Sequence, residues 1–210
     1  MAQEYEYRFH DYDKKDVVKK LRALKAVKKG IFLFRVMVLI HPLETPNTLV
    51  RVRDEGERIT MTYKYNTNDK FVNEDEVIVD NFDSACKILF GLGCKKKYYY
   101  EKTREIWKIK NTEIVFDMNP AIEEMMEIES KTIKELDYYT KKIGLDPNDN
   151  KTTDNAKIYL DLFGIIIPKN IDLDFKNMKK HLKPYVTKNM KQFNELTKVQ
   201  LDIYKKIKNN

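Results

Sequence analysis

EYEYRFHDY, residues 4–12, alternates charged and aromatic side chains with a period of two. In a strand, successive side chains point to opposite faces. Glu4, Glu6 and Arg8 then share one face, and Tyr5, Tyr7 and Phe9 the other. A half-exposed strand normally turns its charges to water and its rings to a core. Whether this strand does so, or turns its charges inward, decides the fold.

The alternation recurs along the first 130 residues. LVRVRD places Arg51 and Arg53 on one face, and in TMTYKY Lys64 lies opposite Met61 and Tyr63. Glu74 and Glu76, Lys102 and Arg104, and Glu127 and Glu129 are pairs of the same spacing, while Asp117 stands alone in the apolar IVFDM. For any single pair, a charged face turned to solvent is the ordinary explanation. Together they put seven carboxylates (4, 6, 74, 76, 117, 127, 129) and six cations (8, 51, 53, 64, 102, 104) on strand faces whose opposite sides are largely apolar. Those apolar sides need cover.

Helices supply it. DKKDVVKKLRALKAV carries Val17, Val18, Leu21, Leu24 and Val27 at helical spacing, with Asp13 as N-cap and Gly30 as the stop. A second helix runs from Asp80 or Asn81 through Ala85, Ile88, Leu89 and Leu92 and ends at Gly91–Gly93. If the apolar faces pack outward on helices, the charges point inward. A closed barrel of about eight strands has room for interior side chains or one small ligand. Buried charges are costly unless they are paired or bind metal. A barrel lined by both signs is therefore suited to a polyphosphate on its basic side and Mg²⁺ or Mn²⁺ on its acidic side.

Between these landmarks, residues 31–40 read as a strand, 48–65 as a hairpin, 66–73 as a polar loop and 74–80 as a strand. Residues 95–110, 113–118 and 123–130 complete the strands. Beyond about residue 130 the period becomes helical, in 132–145, in 156–163 and in a final stripe of Leu182, Val186, Met190, Phe193, Leu196, Ile203 and Ile207. The expected architecture is α+β: an antiparallel eight-stranded β-barrel with external helices, residues 1–165, followed by a basic helical extension, 166–210. The stripe in that extension suits docking on the barrel or self-association as a homodimer, and its lysines leave RNA attraction open. YYY at 98–100 could stack bases but fits better as strand tyrosines packing on helices, and Trp107 reads as core.

The net charge of +7, with 35% of residues charged, favours an anionic partner. No apolar run approaches the ~20 residues of a membrane span, and the first residues do not form a signal peptide. Cys86 and Cys94 have no metal-ligand spacing, and His10, His41 and His181 are scattered. These features exclude a zinc site and lead to the expectation of a cytoplasmic protein with reduced cysteines and no membrane attachment.

The order E-x-E-x-R, R-x-R, T-Y-K, E-x-E, K-x-R, D, E-x-E, from Glu4 to Glu129, resembles the CYTH domain of the triphosphate tunnel metalloenzymes. That group includes class IV adenylyl cyclases, thiamine triphosphatases and inorganic triphosphatases, with RNA triphosphatases of capping systems as distant relatives. The resemblance extends to KIYLDLFG at 157–164. It implies that Glu4, Glu6, Glu127 and Glu129 bind the metal, with Asp117 as a further ligand. It implies that Arg8, Arg51, Arg53, Lys64, Lys102 and Arg104 grip a triphosphate, and that Glu74 and Glu76 hold a second metal or the basic residues. Glu4, Glu6, Lys64, Glu127 and Glu129 form the expected catalytic set. One position departs from the family: Arg8 stands where the pattern has Lys, and Arg does not exchange a proton near neutral pH. The expected activity is metal-dependent hydrolysis of tripolyphosphate or of a nucleoside or thiamine triphosphate. The alternatives are a class IV-type cyclase making cyclic AMP and pyrophosphate from ATP, an RNA 5′-triphosphatase, and a non-catalytic polyphosphate or nucleotide binder.

Overall fold

The computed structural model describes residues 5–43, 48–68, 71–151 and 155–208, with the backbone alone at 66–68 and 71–73. Glu4 lies outside the described residues. The strands are β1 (Tyr5–Phe9), β2 (Val27–Ile40), β3 (Leu49–Asp54), β4 (Ile59–Asn68), β5 (Phe71–Val79), β6 (Lys95–Ile109), β7 (Thr112–Met118) and β8 (Met125–Ser130). The helices are α1 (Lys14–Ala23), α2 (Phe82–Gly91), α3 (Ile133–Lys142), α4 (Asn155–Phe163), α5 (Met178–Leu182) and α6 (Met190–Lys208).

The eight strands form one antiparallel sheet in the order β1-β8-β7-β6-β2-β3-β4-β5. The fold is the expected one in strand number, direction and helical cover. It differs in closure: β1 and β5 are sheet edges, and no ladder joins them among the described residues.

The opening strand turns its rings outward. Phe9 is buried with Val17 and Leu21 of α1, Leu136 of α3, and Trp107, Ile114, Phe116, Met126 and Ile128 of the sheet. A second core places Phe82, Ala85 and Cys86 of α2 against Leu39, Val50 and Val52. Glu6 and Arg8 of β1, Arg51 and Arg53 of β3, Lys102 and Arg104 of β6, and Glu127 and Glu129 of β8 lie on the other face of the sheet, as strand parity requires.

α1 starts where expected, with Asp13 Oδ1 accepting from the backbone N–H of Lys15 at 2.8 Å. It ends earlier than the apolar spacing suggests. Lys25 adopts a left-handed φ of 60° and the Ala26 N–H bonds back to the Leu21 carbonyl at 2.9 Å, a helix C-terminal closure. Val27 therefore opens β2 and is 56% exposed, not part of the helix stripe. Gly30 sits inside β2 at a register shift, where an added Cβ would come 2.9 Å from the Phe32 ring. The expected loop at 66–73 is mostly ladder: Tyr65 pairs with Asn73 and Asn66 with Val72. Backbone pairing continues there without the apolar alternation that marks a strand in sequence.

The C-terminal segment shares a third core with the β7–β8 connection. Met118, Ala121 and Ile122 are buried with Tyr159 and Phe163 of α4, Phe175, Leu182 of α5, and Phe193 and Tyr204 of α6. The final stripe is broken by a 3₁₀ turn at Lys183–Tyr185 and docks through Leu182 and Phe193. Beyond the end of β7, the link before α5 takes the free edge of β6. The Leu173 N–H donates to the Tyr99 carbonyl and the Glu101 N–H to the Leu173 carbonyl, each at 2.9 Å. Among the described residues, no helix is long and apolar enough to cross a membrane.

Candidate active site

Strand register brings residues more than a hundred positions apart into contact. In the β1–β8 pair, Glu6 faces Glu129 and Arg8 faces Glu127. In the β6–β7 pair, Arg104 faces Asp117. Arg8 Nη2 lies 2.9 Å from Glu6 Oε1 and 2.8 Å from Glu127 Oε1. Arg104 reaches Asp117 with Nε at 2.6 Å and Nη2 at 2.5 Å, and Glu127 Oε2 with Nη2 at 2.7 Å. Lys102 Nζ completes the set at 2.6 Å from Asp117 Oδ2.

The two kinds of carboxylate differ in surroundings. Asp117 is 0% exposed, and both its oxygens are taken by Lys102 and Arg104. Burial alone would raise its pKa; the two cations outweigh that and hold it below the ordinary carboxylate value. Glu6, Glu127 and Glu129 instead crowd together, each offering an oxygen within 4.8 Å of the others. Burial pushes the Glu129 carboxyl up to about 7, Glu6 and Glu127 adding to the rise against the pull of Arg104. Three oxygen donors, one of them raised in pKa by burial and by its carboxylate neighbours, are a donor set that fits a hard divalent cation such as Mg²⁺ or Mn²⁺.

A second network occupies β3–β5. Lys64 Nζ is 2.7 Å from Glu74, and Arg51 Nη2 is 3.4 Å from Glu74 and 4.0 Å from Glu76. Arg53 lies 3.8 Å from Glu76, which also accepts from Thr62 Oγ1 at 2.8 Å. Burial would raise the Glu76 pKa, and the Thr62 hydrogen bond with the arginines brings it below its ordinary value. Neither Glu74 nor Glu76 nor Asp117 belongs to the group of three close carboxylates, and each faces basic side chains.

The site thus has two halves: Glu6, Arg8, Lys102, Arg104, Asp117, Glu127 and Glu129 on one side, and Arg51, Arg53, Lys64, Glu74 and Glu76 on the other. Tyr100 stands between them. Burial raises its phenol pKa, while Arg51, Arg53 and Arg104 all pull it down, so the ring is within electrostatic reach of both halves. Phe34 underlies Lys102 and Arg104, its centroid 5.5 Å from the ammonium and 5.6 Å from the guanidinium carbon.

Tyr98 and Tyr100 were not singled out as site residues from the sequence. Parity carried the signal for the tyrosines, which stand four and two residues before Lys102 and share its face. Tyr99 points the other way and donates to Glu101 at 2.8 Å.

A model of the CYTH domain matches residues 2–145. No curated protein matches the sequence. Solved structures do. A protein of Pyrococcus horikoshii OT3 is 22% identical with a TM-score of 0.55, over 74% of this chain and 99% of its own. A conserved hypothetical protein of Pyrococcus furiosus is 19% identical with a TM-score of 0.53, over the same shares. A protein of Vibrio parahaemolyticus described as a candidate adenylate cyclase is 13% identical with a TM-score of 0.59, over 74% of this chain and 96% of its own. At these identities the likeness is one of fold.

Proposed function

The chain belongs to the CYTH domain family, and on that premise we propose that it is a divalent-metal-dependent hydrolase of triphosphate substrates. One observation carries the reading: the close carboxylates of Glu6, Glu127 and Glu129 stand beside the cations Arg8, Lys102 and Arg104 on one sheet face. Anion-binding and cation-binding groups at hydrogen-bond spacing are what a metal–phosphate complex requires.

Glu6, Glu127 and Glu129 would hold the cation, and the family resemblance adds Glu4 to the ligand set. A divalent cation in such a site neutralises phosphate charge and acidifies water. Arg8, Lys102 and Arg104 bind the phosphate oxygens from one side and Arg51, Arg53 and Lys64 from the other. Asp117 would fix the orientation of Lys102 and, together with Glu127, that of Arg104. Glu129, ionised once it holds the cation, would accept a hydrogen bond from the attacking water and orient it. Water would add to the terminal phosphorus as its bond to the bridging oxygen breaks; that oxygen and the bonding pair stay with the diphosphate product, and the water's proton is released with orthophosphate.

The test is to supply ATP, tripolyphosphate and triphosphate-ended RNA separately with Mg²⁺ or Mn²⁺, resolve orthophosphate, pyrophosphate and cyclic AMP, and measure binding of each compound in parallel. Metal-dependent orthophosphate release is the expected result. Cyclic AMP with stoichiometric pyrophosphate would replace hydrolysis by cyclisation. Release confined to triphosphate-ended RNA would make the protein an RNA-end enzyme, and affinity without turnover would make it a binder.

A further inference from the structure

The charge of the chain is unevenly placed. Residues 1–165 hold 29 basic and 29 acidic side chains, while 166–210 hold 11 basic and 4 acidic ones, so the extension carries the whole net charge of +7. In the candidate site each cation has a carboxylate partner: Arg8 with Glu127, Arg51 and Lys64 with Glu74, Arg53 with Glu76, Lys102 and Arg104 with Asp117. The lysines around α5 have none.

Met178 and Leu182, one turn apart, are buried in the third core, so Lys179, Lys180 and Lys183 project from the outer side of α5 and the 3₁₀ turn that continues it. With Lys176 just before the helix and Lys188 just after the turn, five exposed lysines lie within 13 residues. Among the described residues, none of the five has a carboxylate oxygen within 4.0 Å. The nearest acids in sequence are used elsewhere. Asp172 accepts from the Tyr99 N–H at 2.9 Å and pairs with Lys96, and Asp174, 7% exposed, accepts from the Asn177 N–H at 2.8 Å. On α6 the charges are mixed, because Glu195 and Asp202 follow Lys191 and Lys198 by four residues and share their face. Lys179 and Lys183 stand at the same spacing with like charge, which costs stability unless an anion covers them. Tyr185, 43% exposed, sets an open ring among these lysines.

From this arrangement we propose that α5 and its 3₁₀ turn bind the phosphate backbone of single-stranded nucleic acid, with a base stacked on Tyr185. Docking on an acidic lipid surface would need a free apolar face, and Met178 and Leu182 are committed to the core. None of these residues belongs to the candidate active site, and the strand is held there without being cleaved. The inference goes beyond the triphosphate reading and does not rest on it.

The experiment uses the full-length protein in EDTA and a labelled oligouridylate of about 20 nucleotides ending in a 5′-hydroxyl, a probe with neither triphosphate nor metal for the active site. Fluorescence anisotropy between about 50 and 200 mM KCl should show log K falling against log salt with a slope of about −3, or roughly −0.7 per phosphate contacted. Replacing Lys179, Lys180 and Lys183 together by Gln should flatten that slope by about 2 and weaken binding by about tenfold or more. These side chains are exposed, so the fold should persist, which circular dichroism checks. Tyr185→Ala should weaken binding by about fivefold or more with the slope unchanged. Oligothymidylate of the same length forms a second arm: binding of either strand with this salt dependence supports the surface, and their ratio separates RNA from DNA. No binding of either strand at the lowest salt overturns the inference, as does a triple variant that binds like the parent. Binding to phosphatidylserine vesicles in place of both strands overturns it too. Each outcome is read without turnover, so it is independent of whether the triphosphate reading holds.

Discussion

Arg8 and Glu127 face each other across the β1–β8 ladder, with Arg8 Nη2 2.8 Å from Glu127 Oε1. The same nitrogen reaches Glu6 at 2.9 Å, and the other oxygen of Glu127 is held by Arg104 at 2.7 Å. Glu127, 4% exposed, is thus shared by guanidiniums from two strands. This bears on the Arg that stands where the family pattern has Lys. Both Arg8 contacts leave from one nitrogen, and an ammonium with three donors can make both. Arg8→Ala should lower kcat/KM by about tenfold to a hundredfold, the worth of a charge-assisted contact. Arg8→Lys should restore most of that loss. Steady-state kinetics on the two variants checks it.

Glu127→Gln keeps the shape of the side chain and removes its charge. Metal-dependent activity should fall by at least about a hundredfold, more than the loss of a group that only orients a ligand. Mn²⁺ binding should weaken in parallel, while far-UV circular dichroism stays that of the parent. Full activity in this variant would remove Glu127 from the site.

Asp117→Asn tests a different role. Asp117 is fully buried between Lys102 and Arg104, and neutralising it takes the counter-ion from Lys102 and leaves Arg104 paired with Glu127 alone. Breaking a buried ion pair from one side costs about 3–5 kcal/mol. For a chain of this size that lowers Tm by roughly 10 °C. Differential scanning calorimetry should show it with or without added metal.

Glu129 sets the pH dependence. Its folded-state pKa is raised from 4.5 to about 7. Between these values the folded, metal-free protein keeps a proton that the unfolded chain has lost. The stabilisation is complete below pH 4.5 and disappears as pH rises through about 7. In EDTA, wild type should therefore lose stability across this window relative to Glu129→Gln. A divalent cation must displace the same proton, so Mn²⁺ affinity should fall as pH drops below about 7. Thermal melts and Mn²⁺ titrations along a pH series read both effects.

Gln200→Ala should destabilise the chain although it lies far from the opening motif. It strands the Ile122 carbonyl and the Ala121 N–H of the 119–122 loop in a buried position and leaves the Asn119 carbonyl only the Ile122 N–H at 3.2 Å. Each unsatisfied group costs about 1–3 kcal/mol. A drop in Tm of several degrees is the expected outcome, measured by thermal denaturation.

Much of this was legible without coordinates, because strand alternation is a local property. EYEYRF, LVRVRD and MMEIES state which residues share a face whatever the rest of the chain does. Asp13 and Asn81 mark where α1 and α2 begin, since a cap is satisfied within three residues. Local signals failed where the backbone itself decided. Lys25 ends α1 through a left-handed conformation that no glycine announces, and the ladder at Tyr65–Asn73 needs no apolar pattern.

The sequence by itself determined the charged and apolar faces, the eight strands and the order of the motifs. Only the tertiary structure decided which charges meet. That Arg8 finds Glu127, that Lys102 and Arg104 occupy both oxygens of Asp117, and that Glu6, Glu127 and Glu129 are left close together follow from register between distant strands. The place of the 119–122 loop depends in turn on where the C-terminal helices dock. Register and docking are set by packing of the outer cores and by loop closure, and a period of two carries no information about either.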